Sequence, residues 1–319
     1  MNNIVVAGAG TFGTAIAERL SWNPMNQVRL HTIEPEVEAE INTHHTNTKY
    51  FPTRFLNSSV SATSDFHVFA DADVIMLVIP SKVIVSFSRQ IRENTDREPL
   101  VVNLAKGMSD DGAFITEDIP FERTASMKGP SFAIETINGY PTSFTFGGSR
   151  DDYHYFKREI LPKTQFSLDY SKDVRAVELL SILKNMYAIA IGIVSGKFNS
   201  PNVDFLVYTK AVNEMRDLLS IYGCDEDTIF RYCGIGDLGL TALNDLSRNR
   251  TLGMLLGKGF GYDPDSKSST VVEGMRTVKL MGELTRSKGL EEQFPLVQAL
   301  YRFLYENDSL NDYTIAVLD

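Results

Sequence analysis

The sequence predicts an α/β domain over residues 1–172 followed by an all-helical domain over residues 173–319. Three observations carry that prediction. Short apolar runs alternate with helical patterns through the first half, as when parallel strands are joined by helices. Near residue 172 the strand pattern stops and helical periodicity takes over. Val177–Gly196 then reads VELLSILKNMYAIAIGIVSG, far longer than a strand and apolar on nearly every face, which marks a helix buried inside a domain.

Asn3–Ala7 is a short apolar strand. Gly8-Ala9-Gly10-Thr11-Phe12-Gly13 follows it directly and opens into Thr14–Leu20, a helical start. A bare G-x-G-x-x-G is a weak signal, but strand, glycines and helix in this order form a Rossmann-type dinucleotide-binding fingerprint. Gly8 permits the tight turn, Gly10 lets the backbone approach a pyrophosphate, and Gly13 lets helix pack on strand. The helix N-terminus then offers free N–H groups to the phosphates. A second strand, Gln27–Thr32, ends at Ile33-Glu34, where an acidic side chain would meet the adenosine ribose hydroxyls. No arginine follows at once to neutralise a 2′-phosphate, so NAD is favoured over NADP. The plainer reading of Glu34 is a solvated turn residue.

Asp73–Ile79 is a nearly continuous apolar strand ending at Pro80-Ser81, and Leu100–Leu104 is another, ending at Ala105-Lys106-Gly107. Ligands of open α/β sheets bind beyond the carboxyl ends of the strands, which makes Lys106 a site candidate against the alternative of a surface lysine in a turn. Lys128-Gly129-Pro130-Ser131-Phe132-Ala133 reads as a turn entering a helix. Thr142–Phe146 and Gln165–Leu168 fit strands, with Asp151–Ile160 as the helix between them.

In the second half, Lys184 and Asn185 interrupt the apolar helix. A lysine there must snorkel to water or be held in a site, because desolvation disfavours its charged form. Lys197–Asp204 reads as a polar loop, Val207–Tyr222 as an amphipathic helix and Asp225–Tyr232 as a short one. Asp237 and Thr241 are four apart, so on a helix they share a face. Ser247-Arg248-Asn249-Arg250 follows, and the planar fork of Arg248 suits a phosphate. Gly257–Gly261 is a loop, Ser269–Gly274 leads into the helix Met275–Lys288, and Phe294–Glu306 forms a last helix with Pro295 near its start.

Composition removes other classes. With 31 Lys plus Arg against 41 Asp plus Glu, the net charge of −10 argues against a sequence-independent binder of nucleic acid or anionic membranes. Cys224 and Cys233 have no cysteine or histidine at metal spacing, and His31, His44, His45, His67 and His154 show none either, so no metal site is expected. The pair His44-His45 reads as part of a solvated polar loop. The chain enters a strand at once, without a basic n-region, and no uncharged apolar run reaches membrane length, so neither signal peptide nor membrane span is expected. A cytoplasmic protein with two reduced thiols follows.

Together the motifs resemble the NAD(P)-dependent glycerol-3-phosphate dehydrogenases along almost the whole chain. The matching stretches are GAGTFGTAIA at Gly8, NTKYFP at Asn47, IPS at Ile79, AKG at Ala105 and GPSFAIE at Gly129. They continue with LKN at Leu183, GIGDLGLT at Gly234, SRNR at Ser247 and VVEG at Val271, in the family's order and spacing. The resemblance implies that Lys184 is the catalytic acid/base, that Lys106 contacts substrate beside the reacting carbon, and that Asp237 orients Lys184. It implies substrate contacts from Gly129, Ser131, Asn185, Asp237, Thr241, Ser247, Arg248 and Asn249. For the cofactor, NAD or NADP, it implies Thr11, Phe12, Lys106, Ala133, Arg248, Val271 and Glu273. The substrate would be glycerol 3-phosphate or dihydroxyacetone phosphate, and the assembly a homodimer. Departures stand at Lys128, where the family usually has serine, and at Asp204, where small residues are usual; both could alter the pocket mouth. A related reductase of another small phosphorylated ketone or hydroxy acid, and a dinucleotide sensor without activity, are the rival readings.

Overall fold

In a computed structural model of the chain, residues 1–107, 114–261 and 273–319 are described. Residue contacts divide them into two units, Met1–Glu178 and Leu179–Asp319.

The first unit is built on eight strands: β1 (Asn2–Ala7), β2 (Asn26–His31), β3 (Ser61–Thr63), β4 (Val74–Leu77), β5 (Leu100–Asn103), β6 (Thr124–Lys128), β7 (Thr142–Gly147) and β8 (Phe166–Ser171). They form one sheet in the order β3-β2-β1-β4-β5-β6-β7-β8. Neighbours run parallel except β6 and β7, which pair antiparallel. The connecting helices are α1 (Thr11–Leu20), α2 (Pro35–His44), α3 (Ser81–Glu93), α4 (Ala133–Ile137) and α5 (Arg150–Tyr155). The unbroken apolar strands are explained by burial on both faces. Ile4, Val6, Met76 and Val102 enter one core, while Val5, Ile75, Leu77 and Val101 enter another. Strand order reverses between β1 and β4, and this switch point lies beside the glycine turn after β1.

Several expectations need correction here. β3 (SAT) and β6 (TASMK) are strands that the apolar pattern missed, because both are short and partly polar. His44 is not in a loop; it ends α2, with His45 as the left-handed C-cap at φ 53°. The helix expected over Asp151–Ile160 divides into α5 and a wider turn, Phe156–Ile160.

α6 (Val174–Phe198) runs across the division between the units. After it come α7 (Pro201–Ile221), a 3-10 turn at Glu226–Phe230, α8 (Asp237–Ala242), α9 (Arg248–Gly257), α10 (Glu273–Ser287), α11 (Pro295–Tyr305) and α12 (Leu310–Leu318). By length and composition alone α6 is apolar enough to cross a membrane, but its apolar window is wholly buried within the protein, so it is a core helix. The polar loop expected over Lys197–Asp204 shrinks to two residues. Asn199 breaks the helix at φ 47°, Ser200 is extended, and Pro201 restarts a helix whose first two residues are exposed. Along α7, Val207, Ala211, Met215 and Leu218 form the buried stripe.

α6 and α9 cross backbone to backbone. A Cβ on Gly192 would lie 2.5 Å from the Arg250 carbonyl oxygen, and one on Gly196 2.4 Å from that of Met254. From the other side, a Cβ on Gly253 or Gly257 would lie 2.2 Å or 2.0 Å from the carbonyl oxygens of Ile189 and Ile193. Only glycine permits so close an approach. This seam brings the start of α9 to the flank of α6 that carries Asn185.

Candidate active site

In the first unit the three glycines of the turn divide their tasks. Gly8 has φ +106°, and a Cβ there would lie 2.6 Å from the Val78 carbonyl oxygen. A Cβ on Gly13 would lie 1.8 Å from the Gly8 carbonyl oxygen, so Gly13 holds α1 against the turn. Gly10 faces open space, with nothing within 4 Å of a Cβ. Thr11 and Phe12 begin α1; Thr11 is exposed and Phe12 leans on the core. No side chain caps this helix, so its first-turn N–H groups stay available. The buried Asn47 braces the turn by donating to the Ala9 carbonyl at 3.0 Å and the Thr14 hydroxyl at 2.9 Å. An open second glycine before uncapped amides fits a dinucleotide pyrophosphate.

Glu34 lies beyond the end of β2 but is not bare. One oxygen accepts the Lys49 ammonium and the other accepts the Tyr50 hydroxyl at 2.9 Å. Hydrogen bonds from Lys49 and Tyr50 hold its carboxyl below the usual carboxylate range. Lys106 is half-buried three residues beyond β5. Gly129 is required by packing, since a Cβ would meet the Ser143 carbonyl oxygen at 2.3 Å, and the Ser131 hydroxyl donates to the Gly129 carbonyl at 3.0 Å. Ala133 is the half-buried first residue of α4.

The second unit holds the strongest constellation. Lys184 is 1% exposed, and its ammonium donates to an oxygen of Asp237 and to the Thr241 hydroxyl, the latter at 3.1 Å. Asp237 is the first residue of α8, and the expected four-residue spacing puts it and Thr241 on one face. A kink aims that helix: Gly234 adopts φ −92° and ψ −108°, and a Cβ there would meet the Ile229 carbonyl oxygen at 2.0 Å. The second carboxylate oxygen of Asp237, Oδ2, is buried with no hydrogen-bond partner among the described residues. An acceptor left open beside a buried ammonium is chemically ready for a hydroxyl-bearing ligand.

Next to this trio Asn185 Oδ1 accepts from Asn249 Nδ2 at 3.1 Å, and Asn185 Nδ2 donates to Glu273 at 3.4 Å. Asn249 Oδ1 in turn accepts the Gly274 N–H at 3.2 Å. Ser247 caps α9 by accepting the Arg250 N–H, and Arg248 is the exposed first residue of that helix. Val271 lies outside the described residues. The second unit therefore brings together Lys184 with Asp237 and Thr241, and Asn185 with Asn249 and Glu273. Both departures are hydrogen-bonded within the fold. Lys128 is 3% exposed with its ammonium on the Asn103 carbonyl at 2.7 Å, and Asp204 on α7 accepts the Ser195 hydroxyl at 2.7 Å. The bracing roles of Asn47 and Tyr50 escaped sequence reading, although both belong to the NTKYFP stretch.

A doubly wound sheet with an open glycine turn, joined to a helical unit with a buried lysine–aspartate pair, defines a nicotinamide-dependent dehydrogenase. Comparison with known proteins makes the assignment narrower. The families described as NAD-dependent glycerol-3-phosphate dehydrogenase N-terminus and C-terminus match residues 3–153 and 173–314. The chain belongs to this glycerol-3-phosphate dehydrogenase family, and its cofactor is NAD or NADP. It is 34% identical to a glycerol-3-phosphate dehydrogenase (NAD(P)+) of Methanothermobacter thermautotrophicus, over 97% of this chain and 95% of that one. It is 31% identical to the enzyme of the same name from Macrococcus caseolyticus, over 98% and 96%. A crystal structure of glycerol-3-phosphate dehydrogenase from Coxiella burnetii superposes with a TM-score of 0.83 at 27% identity, covering 99% of this chain and 97% of that one.

Proposed function

We propose that the enzyme interconverts sn-glycerol 3-phosphate and dihydroxyacetone phosphate, with Lys184 as the acid/base: glycerol 3-phosphate + NAD(P)+ ⇌ dihydroxyacetone phosphate + NAD(P)H + H+. The observation that carries this reading is the buried Lys184 ammonium, shared by Asp237 and Thr241 beside an open oxygen of Asp237. When bound, the nicotinamide would supply or take up the hydride at C2. Oxidation of the alcohol releases one proton from the C2 hydroxyl, and Lys184 Nζ takes it as the neutral amine, becoming the ammonium; in reduction the ammonium returns it to the carbonyl oxygen. Asp237 orients the amine. Arg248, with Asn249 and Thr241, anchors the phosphate, while Asn185 and Ser247 complete the polar contacts. Lys106, Gly129 and Ser131 are proposed substrate contacts of the first unit. Gly8, Gly10, Thr11, Phe12, Gly13, Glu34 and Ala133 are the proposed cofactor contacts there, and Val271 and Glu273 those of the second. In this reading residues 1–172 bind the dinucleotide and residues 173–319 carry substrate binding and catalysis. The resemblance further implies a cytoplasmic homodimer.

The experiment is the dihydroxyacetone phosphate-dependent loss of NADH absorbance, run beside Lys184→Met. Turnover should vanish in the variant while NADH still binds; normal turnover in the variant would remove Lys184 from the mechanism.

A further inference from the structure

Asn103, the last residue of β5, engages its side-chain oxygen, its side-chain nitrogen and its backbone carbonyl near the turn that leads to Lys106. Its Oδ1 accepts the Ala105 N–H at 2.9 Å, bending the chain out of the strand. Its Nδ2 donates to Glu178 Oε1 at 2.6 Å, and its backbone carbonyl accepts the Lys128 ammonium at 2.7 Å. Glu178 Oε2 accepts the Thr116 N–H at 3.3 Å and the Thr116 hydroxyl at 3.1 Å. Both carboxylate oxygens are thus engaged, and Glu178 and Asn103 are each only 1% exposed. Burial pushes the Glu178 carboxyl up, with the Lys128 cation as the largest opposing influence.

Such a network is poorly explained by stability alone. Burying two opposite charges costs desolvation that their attraction roughly offsets, and apolar residues of similar size often do as well or better. What a saturated network adds is a unique geometry. Here the geometry it fixes is that of the side chain that turns the chain toward Lys106.

We propose that Glu178, together with Lys128, is a positioning residue: the pair locks Asn103, and Asn103 sets the backbone that carries Lys106. The proposal rests on the reading of Lys106 as a substrate contact. It also gives Lys128 a task other than altering a pocket mouth. Neither residue need touch substrate or cofactor.

Four proteins test it: the parent enzyme, Glu178→Gln, Lys106→Ala and the double variant, each assayed for kcat and KM toward dihydroxyacetone phosphate. Glutamine keeps the shape but presents an amide donor to partners that are already donors. We expect Glu178→Gln to lower kcat/KM by about tenfold to a hundredfold, the scale of a small misplacement of a reacting group. In the Lys106→Ala background the same change should cost less than about twofold, because residues acting through one another are not additive. An equal loss in both backgrounds, or no loss in either, overturns the proposal. If Lys106→Ala alone leaves kcat/KM unchanged, the reading of Lys106 fails first, and the proposal with it. Should Glu178→Gln not fold, Lys128→Met replaces it in the same cycle, with the same two outcomes.

Discussion

Lys128 and Lys184 are both almost fully buried, one in each unit, yet their surroundings differ in one respect. Around Lys128 the nearby carboxylate, Glu178, has donors on both oxygens. Beside Lys184 the partner carboxylate of Asp237 has one oxygen on the ammonium and the other unsatisfied. Buried polar atoms are nearly always paired, so a saturated network reads as scaffold and an unsatisfied one as a place where something else binds. The contrast teaches that burial of a lysine does not by itself mark chemistry.

The sharpest way to break this comparison is to make the same change at both sites. Lys184→Met should cost at least about 10³-fold in kcat, within the range general acid–base catalysis supplies. Lys128→Met should cost only about tenfold, the effect expected of a residue that acts through Asn103. Similar losses at the two positions, measured by steady-state kinetics on folded protein, would erase the distinction.

A third buried carboxyl extends the comparison without a cation. Glu214 accepts the Leu296 N–H at 2.6 Å, the Val297 N–H at 3.1 Å and the Tyr187 hydroxyl at 3.0 Å, and so caps α11 from α7. Burial still pushes its carboxyl up from 4.5 to about 7, the three hydrogen bonds offsetting only part of that. The fold therefore favours the protonated acid. Its contribution to stability is fully present below pH 4.5 and is lost as pH rises through about 7. The change amounts to about 3 kcal/mol, and it should appear in urea unfolding between pH 5 and 8. Glu214→Gln should flatten that slope, and an unaltered slope would show that Glu214 does not titrate in this window.

The smallest effect is expected at the exposed pair, Lys49 with Glu34. Surface ion pairs contribute little to stability, so the readout should be selectivity. Lys49→Ala would free an oxygen of Glu34 for a ribose hydroxyl and remove a cation able to meet a 2′-phosphate. The ratio of kcat/KM with NAD to that with NADP should rise severalfold; a constant ratio would take Glu34 away from the adenosine ribose.

The contrast between the lysines was only half legible in the sequence. Asp237 and Thr241 announce themselves by a four-residue spacing on one helix, and the apolar run around Lys184 signals its burial. The Lys128 network has no local signature. Asn103, Thr116, Lys128 and Glu178 come from β5, a 3-10 turn, β6 and α6, and only the fold brings them together. The same holds for Asn47, whose bond to Ala9 spans 38 positions. β6 escaped notice because two of its five residues are a threonine and a serine and a third is this lysine, where a strand pattern looks for apolar side chains. What is local in sequence was readable; of what joins distant segments, the Lys184–Asp237 pair was anticipated only through the family resemblance, and the rest was not.

The glycine seam between α6 and α9 has an evolutionary corollary. Each of Gly192, Gly196, Gly253 and Gly257 already faces the opposite backbone at less than a side chain's clearance. Glycine is the smallest residue, so every substitution along the seam acts in one direction and wedges the helices apart. Drift at these positions cannot average out, as it does where large and small residues trade volume across an interface. The separation between Asn185 and Asn249 behaves as a one-sided limit: a single substitution can widen it, and short of reversion no second change at the seam can narrow it again.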